Sequence, residues 1–349
     1  MWSSWQMSAT NQPFELVQEP LQSLDEGDVL LEVAGCGVCH TDIGFWHDGI
    51  RTRKPLPLVL GHEVSGIVAE GPPDWKDKKV IVPAVLPCGE CYLCHRGRAN
   101  ICRSQKMPGN DFDGGFASHM KVPHRFLCEI PESLLSPYSL AELSVIADAV
   151  STPYQAVKRS GLEKGDLAVI IGVGGIGIYG AQLALVTGAK VVAIDVDANR
   201  LKGASDVGVH GVLDVRGKSP REVKATVREM CRDIGGPGEC WKIFEMSGTK
   251  EGQELAYALI GYASTLSVVG FTMHKLELRL SNLMAFDARA IGTWGCRPDL
   301  YPEILDLVAA GKVQLSPFTE TYPMSQINEV FSQMMEKRLN KRAVMIPDF

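Results

Sequence analysis

The sequence predicts an α/β protein with two domains, and three observations lead to this fold class. At 349 residues the chain is longer than one hydrophobic core usually supports. Up to about residue 135, the apolar residues form short extended runs separated by turn signals, such as the one at 24–28. From residue 167 onward, apolar strands alternate with helical patterns, which is typical of a doubly wound parallel sheet.

The individual elements follow from the period of the apolar residues. Extended runs bounded by turn residues predict strands at 14–17, 28–33, 64–69, 79–82, 114–123, 167–171, 191–194, 241–245, 265–269, 290–293 and 342–346. Helical spacing predicts helices at 140–145, 154–160, 178–187, 198–207, 221–234, 251–259, 302–310 and 324–337. The change of period near 148–154 predicts the junction between the two domains.

The composition excludes several classes of partner. A hydrophobic content of 45% and a charged content of 22% are typical of a soluble globular enzyme. The formal charge of -6 gives no electrostatic reason to expect nucleic acid or an anionic membrane as a partner. No apolar run is long enough to span a bilayer, and the first residues lack the features of a signal peptide. The ten cysteines are clustered, which favours metal binding and a reducing, cytoplasmic location over a disulfide scaffold.

The stretch 35–42 places a thiol, a hydroxyl and a carboxylate close together, at Cys39, Thr41 and Asp42. It follows an apolar strand, and we expect the strand to deliver these side chains into a turn. His62 lies at a second border between strand and loop. Thiolate and neutral imidazole are common zinc ligands. Taken singly, Cys39 is more typical of a small buried hydrophobe and His62 of a hydrogen-bonded loop histidine. Together, and with the cysteine cluster and the dinucleotide loop described below, they predict a metal site.

Four further cysteines have the spacing C-x2-C-x2-C-x7-C, at Cys88, Cys91, Cys94 and Cys102. This spacing predicts a closed tetrahedral zinc site, which stabilises a lobe and has no open position for chemistry. An iron-sulfur cluster is the alternative, because ferredoxin spacings are similar. No proline follows Cys102 and no second cluster motif is present, so structural zinc is favoured.

A dinucleotide-binding loop follows the predicted strand at 167–171. Its residues are Gly172, Val173, Gly174, Gly175, Ile176 and Gly177. The loop opens a helix, and Asp195 ends the next predicted strand. This full context is far more specific than the glycines alone, because an ordinary glycine-rich helix start would not explain the acid. The glycines admit a pyrophosphate at the helix N-terminus, and Asp195 can accept a hydrogen bond from the adenosine ribose. A 2′-phosphate would be repelled, so NAD is expected.

One chain therefore combines a zinc site with a nicotinamide dinucleotide fold. Zinc is redox-inert and acts as a Lewis acid toward an alcohol oxygen, while the dinucleotide accepts the hydride. A catalytic zinc needs a third protein ligand and an open fourth position. Asp148, at the predicted domain junction, is the candidate for this third ligand.

Over essentially its whole length the chain resembles the zinc-dependent medium-chain alcohol dehydrogenase family. The matching segments are 35–42, 61–63, 88–102, 114–117, 172–177 and 342–344. The resemblance implies a partly open GroES-like β-barrel catalytic domain from 1–150 and 291–349, with its zinc lobe at 86–103. It implies a Rossmann domain at 151–290, two zinc ions and NAD. A small-molecule substrate and a homo-oligomer, a dimer or a tetramer, are also expected.

The resemblance also implies roles for the residues around the catalytic zinc. Cys39 and His62 match zinc ligands. Many members have cysteine at the position of Asp148 and others have an acid, so Asp148 matches a third ligand. Asp42 matches a carboxylate that supports the ligands from behind, and Glu63 an acid beside the metal and a possible transient ligand.

Further roles concern the proton and the cofactor. Thr41 matches the hydroxyl that takes the alcohol proton. Members often have a histidine three residues later to complete a proton relay, but this chain has Gly44, so His47 or water is expected to take the proton. The positions that match cofactor contacts are His40 and Arg342, near the pyrophosphate, and Arg200, at the adenosine ribose.

A narrower resemblance concerns the substrate. The stretches 80–88 and 107–119 are similar to 6-hydroxycyclohex-1-ene-1-carbonyl-CoA dehydrogenases of anaerobic benzoyl-CoA degradation. This implies oxidation of a cyclic secondary alcohol, carried on a CoA thioester, to the 6-oxo product. Ala84 stands where many relatives have a bulky side chain and would leave room for a ring. The basic cluster of Arg51, Arg53 and Lys54 is more typical of a solvated loop, and its alternative role is to bind CoA phosphates.

Other functions on the same scaffold remain open from sequence. A polyol, benzyl-alcohol or threonine dehydrogenase would keep the same zinc and NAD residues. A zinc-dependent hydratase or lyase is conceivable, because an enoyl thioester can add water. A non-catalytic, crystallin-like member is disfavoured, because the catalytic-zinc residues are intact.

Overall fold

The computed structural model describes residues 1–21 and 23–349. These residues form two compact units. The first contains Met1–Ser151 and Gly295–Phe349, and the second contains Thr152–Trp294. The sequence-based boundaries after residues 150 and 290 lie close to these limits, and the roles assigned to the ranges stay predictions.

The strands are numbered along the chain. They are β1 (Trp2–Met7), β2 (Glu15–Glu19), β3 (Asp28–Gly37), β4 (Leu58–Val59), β5 (Glu63–Glu70), β6 (Lys79–Val82), β7 (His119–Pro123), β8 (Cys128–Glu129), β9 (Leu167–Ile171), β10 (Lys190–Asp195), β11 (Gly211–Asp214), β12 (Lys242–Glu245), β13 (Thr265–Val268), β14 (Arg289–Gly292), β15 (Thr319–Pro323) and β16 (Arg342–Ile346).

The α-helices are numbered in the same way. They are α1 (His40–Trp46), α2 (Tyr92–His95), α3 (Ser151–Ser160), α4 (Gly177–Val186), α5 (Ala198–Asp206), α6 (Pro220–Asp233), α7 (Lys250–Ala258), α8 (Ser281–Ala285), α9 (Tyr301–Ala309) and α10 (Ile327–Met335). Short 3₁₀ helices include Glu142–Ala147, just before the end of the first segment. Within the described residues, none of these helices combines the length and apolarity needed to cross a membrane.

The second unit is built on a parallel sheet with the strand order β11-β10-β9-β12-β13-β14. Every pairing in it is parallel. The central strand β9 is buried along its whole length, as expected for a parallel sheet covered on both faces. The predicted doubly wound sheet is therefore confirmed.

The first unit is built mainly on antiparallel strands, in the order β15-β16-β3-β5-β6-β8, with β7 also paired to β3. The register places Gly37 of β3 opposite both Glu63 of β5 and Val344 of β16. Because Cys39 and His62 directly adjoin these strands, the pairing brings the two predicted ligand loops to one edge of the sheet. The same pairing returns the C-terminal strand to this edge.

The structure corrects several sequence-based elements. Thr41 and Asp42 lie on α1, whereas a turn was expected, because Cys39 caps a new helix directly after β3. The extended run predicted from residue 114 becomes a strand only at His119, and the predicted helix at 140–145 is a 3₁₀ helix, Glu142–Ala147. Five strands were missed, because their short or polar segments lack clear alternation: β1, β4, β8, β11 and β15.

Candidate active site

One group of ligand-type side chains lies at the edge where β3 and β5 meet. Cys39, His62, Glu63 and Asp148 each offer one atom, and these atoms all lie within 4.8 Å of one another. Cys39 Sγ is 3.8 Å from Asp148 Oδ2, and His62 Nε2 is 3.6 Å from the same oxygen. Asp148 reaches this place from the end of the 3₁₀ helix Glu142–Ala147.

These distances fit a tetrahedral zinc site. With zinc bonds of about 2.3 Å to sulfur and about 2.0–2.2 Å to nitrogen or oxygen, tetrahedral geometry separates sulfur from oxygen by about 3.6 Å and nitrogen from oxygen by about 3.4 Å. The observed separations, 3.8 Å and 3.6 Å, are each slightly wider. Cys39, His62 and Asp148 could therefore hold zinc without a large rearrangement.

The imidazole of His62 gives independent support for a metal. It is almost fully buried, its Nδ1 lies 3.3 Å from Asp42 Oδ1, and its Nε2 has no hydrogen-bond partner among the described residues. Burial is the largest influence on the pKa of His62 and lowers it, but the acidic groups around the ring, Asp42 foremost, raise it more. The net pKa lies well above its ordinary value. The acidic surroundings therefore favour a positive charge at this ring. A metal ion bound to Nε2 would supply that charge in place of a proton.

Asp42 holds the two ligand loops together. Its Oδ2 accepts a hydrogen bond from the Cys39 amide at 2.9 Å, and its Oδ1 accepts one from the Gly61 amide at 3.3 Å. The same Oδ1 lies 3.3 Å from His62 Nδ1. Gly61 has φ +97, and a Cβ there would lie 2.6 Å from Cys36 Sγ. The structure thus places Asp42 behind both ligands, and the tight turn at Gly61 lets His62 reach the site.

Glu63 forms a buried ion pair with Arg342. Both carboxylate oxygens accept hydrogen bonds from the guanidinium, with Nε to Oε2 at 2.7 Å. Burial is the largest influence on the pKa of Arg342 and lowers it, but Glu63, Cys39 and Asp148 together raise that pKa well above its ordinary range. The sequence placed Glu63 beside the metal and Arg342 near the pyrophosphate, and it gave no signal of their pairing. The predicted role at the pyrophosphate stays a prediction.

The residues predicted for proton transfer are distributed along α1. The Thr41 hydroxyl lies 3.7 Å from Cys39 Sγ, at the ligand end of the helix. His40 is exposed at the same end. His47 is exposed at the opposite end, about 12 Å along the axis from Cys39 at 1.5 Å per residue. The structure therefore does not bring His47 together with the metal ligands.

Gly44 stands where family members often have a histidine. It is buried, and a Cβ built there would lie 2.9 Å from the Cδ1 atom of Ile50. A side chain at this position would require Ile50 to move. The Ile50 side chain therefore takes up part of the space beside this position.

The four-cysteine lobe forms the second group of ligands. The measured Sγ separations are 3.4 Å for Cys88 and Cys102, 3.6 Å for Cys91 and Cys94, 3.6 Å for Cys91 and Cys102, and 4.0 Å for Cys88 and Cys94. A tetrahedron with zinc–sulfur bonds of about 2.3 Å has edges of about 3.8 Å. The lobe thus has the dimensions of a closed thiolate zinc site.

The acidity of the lobe thiols differs widely. A hydrogen bond from the Cys94 backbone is the main cause that lowers the pKa of Cys91 to about 6. Burial is the main cause that raises the pKa of Cys94 to about 12. Because thiolates are the metal-binding form, Cys91 is ready to ligate at neutral pH, whereas Cys94 ligates only when a metal displaces its proton.

In the second unit the glycine-rich loop joins β9 to α4. Gly172 has φ +82, which favours glycine, and a Cβ on Gly177 would collide with the Gly172 carbonyl oxygen. A Cβ on Gly174 would lie 3.4 Å from the guanidinium of Arg200. Gly175 and Ile176 form the partly exposed turn before the helix. The loop leaves its backbone open to a pyrophosphate at the N-terminus of α4.

Asp195 lies at the end of β10, next to this loop. Its Oδ2 accepts from the Val173 amide at 2.8 Å, and its Oδ1 accepts from the amides of Val196 and Asp197 at 2.8 Å and 3.0 Å. An ionised carboxylate can accept about four hydrogen bonds, so one position on Oδ2 remains for a ribose hydroxyl. Arg200 lies nearby, with its Nη1 4.0 Å from Asp195 Oδ1.

The basic cluster predicted for CoA phosphates is partly neutralised. Arg53 forms an ion pair with Asp111 at 3.1 Å, and Lys54 forms one with Asp113 at 2.5 Å. Both acids lie in the stretch 107–119 that carried the narrower resemblance. The sequence could not show this, because the partners are nearly 60 residues apart.

Comparison with known proteins identifies the family. The model described as alcohol dehydrogenase GroES-like domain matches residues 25–132, and the one described as zinc-binding dehydrogenase matches residues 175–310. An alcohol dehydrogenase of Geobacillus stearothermophilus is 33% identical, covering 95% of each chain. The chain belongs to the zinc-dependent alcohol dehydrogenase family. The solved alcohol dehydrogenase of the archaeon Aeropyrum pernix has a TM-score of 0.87 and 28% identity, covering 99% of this chain and 100% of its own.

Membership of this zinc alcohol dehydrogenase family confirms the predicted fold class, enzyme class and cofactors. The chain is an NAD-dependent oxidoreductase of the alcohol dehydrogenase type that uses zinc. A second alcohol dehydrogenase of Geobacillus stearothermophilus is 29% identical, covering 96% of this chain and 97% of its own. The roles of individual residues stay predictions.

Proposed function

We propose that this dehydrogenase oxidises a secondary alcohol to a ketone at a zinc held by Cys39, His62 and Asp148. The observation that carries the proposal is the buried Nε2 of His62, which lacks a hydrogen-bond partner among the described residues and faces Asp148 Oδ2 at 3.6 Å. An unsatisfied buried nitrogen is costly unless a metal or a proton occupies it. The Glu63 oxygens are both bonded to Arg342, which makes Asp148 the better third ligand.

In this mechanism the chain orients the reactants and moves one proton. When bound, zinc supplies a Lewis acid for the alcohol oxygen and NAD supplies the hydride acceptor. The Thr41 hydroxyl, 3.7 Å from Cys39 Sγ, accepts the alcohol proton at Oγ1 as its own proton leaves. Because Gly44 carries no side chain and His47 lies at the far end of α1, the released proton passes to water. With NAD bound, the balanced overall reaction would convert the alcohol and NAD to a ketone, NADH and one proton.

The cofactor is proposed to bind the second unit. The loop of Gly172, Gly174, Gly175, Ile176 and Gly177 would face the pyrophosphate, and Asp195 the adenosine ribose. Arg200 would adjoin the same ribose, since its guanidinium lies between Asp195 and Gly174. His40 and Arg342 are likewise proposed to lie near the pyrophosphate.

The ligand assignment is tested by Asp148→Asn, with Glu63→Gln as the matched variant. We expect Asp148→Asn to release one zinc per chain and lose most of its turnover, because an amide is a poorer zinc ligand than a carboxylate. Metal content by plasma emission spectrometry and NADH formation are measured on the same samples. Native zinc content and native turnover in Asp148→Asn would refute the assignment. Zinc loss in Glu63→Gln alone would identify Glu63 as the third ligand instead.

We further propose that the substrate is a cyclic secondary alcohol on a CoA thioester, of the 6-hydroxycyclohex-1-ene-1-carbonyl-CoA type. Ala84 supports this, because its amide lies 3.4 Å from the carbonyl oxygen of Ala147, the residue before Asp148. Ala84 thus lies next to the residue that precedes the ligand, and its side chain takes up less space than a bulky one would, which supports a ring-shaped substrate. The ion pairs of Arg53 and Lys54 reduce the charge available to CoA phosphates, so Arg51 carries more of that part of the proposal.

The substrate proposal is tested by the rate of NAD reduction with the hydroxyacyl-CoA, the free hydroxy acid and cyclohexanol. Remote binding energy from CoA should give the thioester a far higher kcat/KM than either smaller alcohol. Arg51→Ala should raise KM for the thioester and leave KM for NAD unchanged, with Arg53→Ala as the comparison at a cation already paired with Asp111. An equal kcat/KM with cyclohexanol would contradict the CoA proposal. The enzyme would then be a zinc dehydrogenase that acts on a polyol, threonine or another alcohol without CoA.

The proposal also covers the oligomeric state and the cellular location. Large apolar side chains are exposed on the second unit, including Phe271 at 68%, Met284 at 77% and Trp294 at 50%. Such a surface supports a homo-oligomer, a dimer or tetramer, which light scattering after size exclusion would test. None of the ten cysteines is joined in a disulfide, which supports a reducing, cytoplasmic location.

A further inference from the structure

One backbone carbonyl beside the proposed zinc ligand is surrounded by hydrogen-bond donors. The carbonyl oxygen of Ala147 accepts from the Tyr301 hydroxyl and from Ser151 Oγ at 3.0 Å, and the Ala84 amide lies 3.4 Å away. The two hydroxyls also contact each other, with Ser151 Oγ 3.2 Å from Tyr301 Oη. Neither Tyr301 nor Ser151 was singled out from the sequence, where they are 150 residues apart.

The position of Ala147 explains why this carbonyl needs side-chain donors. Ala147 is the last residue of a 3₁₀ helix, and Asp148 follows with φ -140 and ψ -52, outside helical geometry. The last carbonyls of a helix have no partner within the helix. Tyr301 and Ser151 are both fully buried, so water cannot easily replace them. Each hydroxyl has one proton; that of Tyr301 goes to Ala147, and that of Ser151 goes to Ala147 or to the tyrosine oxygen.

We propose that Tyr301 and Ser151 are positioning residues that aim the carboxylate of Asp148 at the zinc. They act through the peptide between Ala147 and Asp148, whose orientation fixes the start of the Asp148 side chain. Asp148 lies between the 3₁₀ helix Glu142–Ala147 and α3, outside both elements, so hydrogen bonds from the two hydroxyls help to orient the peptide that precedes it. The inference rests on the proposed role of Asp148 as the third ligand.

The geometry favours positioning over a general packing role. The ring of Tyr301 packs in the core, and its hydroxyl donates its hydrogen bond to the carbonyl of Ala147, the residue that precedes the proposed ligand. Removing that hydroxyl leaves the ring in place and takes one donor away from the Ala147 carbonyl, so the peptide is held less tightly. Partners that orient metal ligands typically contribute about 10- to 100-fold to metal affinity. Because Tyr301 acts through the backbone, we expect an effect at the lower end of this range.

The experiment measures chelator-driven zinc release from the fully loaded protein. The variants are Tyr301→Phe, Ser151→Ala and both together, and the matched control is Tyr179→Phe, which removes the hydroxyl of another fully buried tyrosine in the second unit. Tyr301→Phe should release the catalytic zinc about tenfold faster and leave the lobe zinc unchanged. Ser151→Ala should accelerate release of the catalytic zinc by a smaller factor. The acceleration in the double variant should be less than the product of the two single-variant factors, because both hydroxyls bond the same acceptor.

A spectroscopic readout separates positioning from stability. With cobalt in the catalytic site, Tyr301→Phe should shift the visible ligand-field bands, whereas Tyr179→Phe should leave them unchanged. Equal acceleration of both zinc phases, or native release in both Tyr301→Phe and Ser151→Ala, would overturn the inference. Asp148→Asn, run in parallel, distinguishes the two failures: if it releases zinc while the hydroxyl variants do not, only the positioning role fails, and if it too retains zinc, the ligand assignment fails.

Discussion

Replacing Asp195 with alanine should convert a strong preference for NAD into a weak one. The carboxylate is only 6% exposed and directs one remaining acceptor position toward the glycine-rich loop. A hydrogen bond to a charged acceptor contributes about 1.5–3 kcal/mol, so its loss should lower kcat/KM for NAD at least about tenfold. For NADP the change removes a repelling charge and releases Arg200, 4.0 Å away, to meet a 2′-phosphate. A gain of about tenfold for NADP would bring the total change in preference to about 100-fold.

The assay compares kcat/KM for NAD and NADP in native protein, Asp195→Ala and Asp214→Ala. Asp214 is the matched control, because it ends the neighbouring strand β11 in register with Asp195 and pairs with Arg216 at 2.6 Å. Asp195→Ala also leaves the Val173 amide without its partner, which should cost about 1–3 kcal/mol of stability, so folding is checked by circular dichroism. An unchanged ratio in folded Asp195→Ala, or an equal change in Asp214→Ala, would refute the reasoning.

Three further outcomes are expected. Cys39→Ser should lose one of two zinc ions and remain folded, whereas Cys94→Ser should destabilise the lobe; a native metal content of one zinc per chain would contradict both. Arg342→Met should destabilise the protein by about 3–5 kcal/mol near pH 8, because it leaves the buried Glu63 without a cation. Burial raises the pKa of Glu63 and loss of Arg342 raises it further, so the penalty should shrink as protonation neutralises the acid at lower pH; urea unfolding giving equal losses at pH 5 and pH 8 would argue against this. In the metal-free lobe, iodoacetamide at pH 7.5 should modify Cys91, with a pKa of about 6, before Cys94, with one of about 12; mass spectrometry showing the reverse order would exclude these values.

The sequence by itself determined the features that depend on near neighbours in the chain. The cysteine spacing at 88–102 predicts the lobe because four ligands within 15 residues can close around one ion with little choice of path. The glycine-rich loop and Asp195 predict the dinucleotide site because a strand, a tight turn and a helix start are local structures. Strands β6, β9 and β16 have the predicted bounds, since each is a continuous apolar run between turn residues.

Only the tertiary structure decided which distant side chains meet. The pairing of β3 with β5 joins Cys39 to His62, and the 3₁₀ helix brings in Asp148 from 109 residues away. Packing joins Glu63 to Arg342 across 279 residues, and ion pairs with Asp111 and Asp113 neutralise two cations of the basic cluster that looked free in the sequence. The whole core sets strand register and burial. Packing therefore decides which partner lies beside each buried charge or metal-ligand side chain. The periodicity of any one segment does not contain that information.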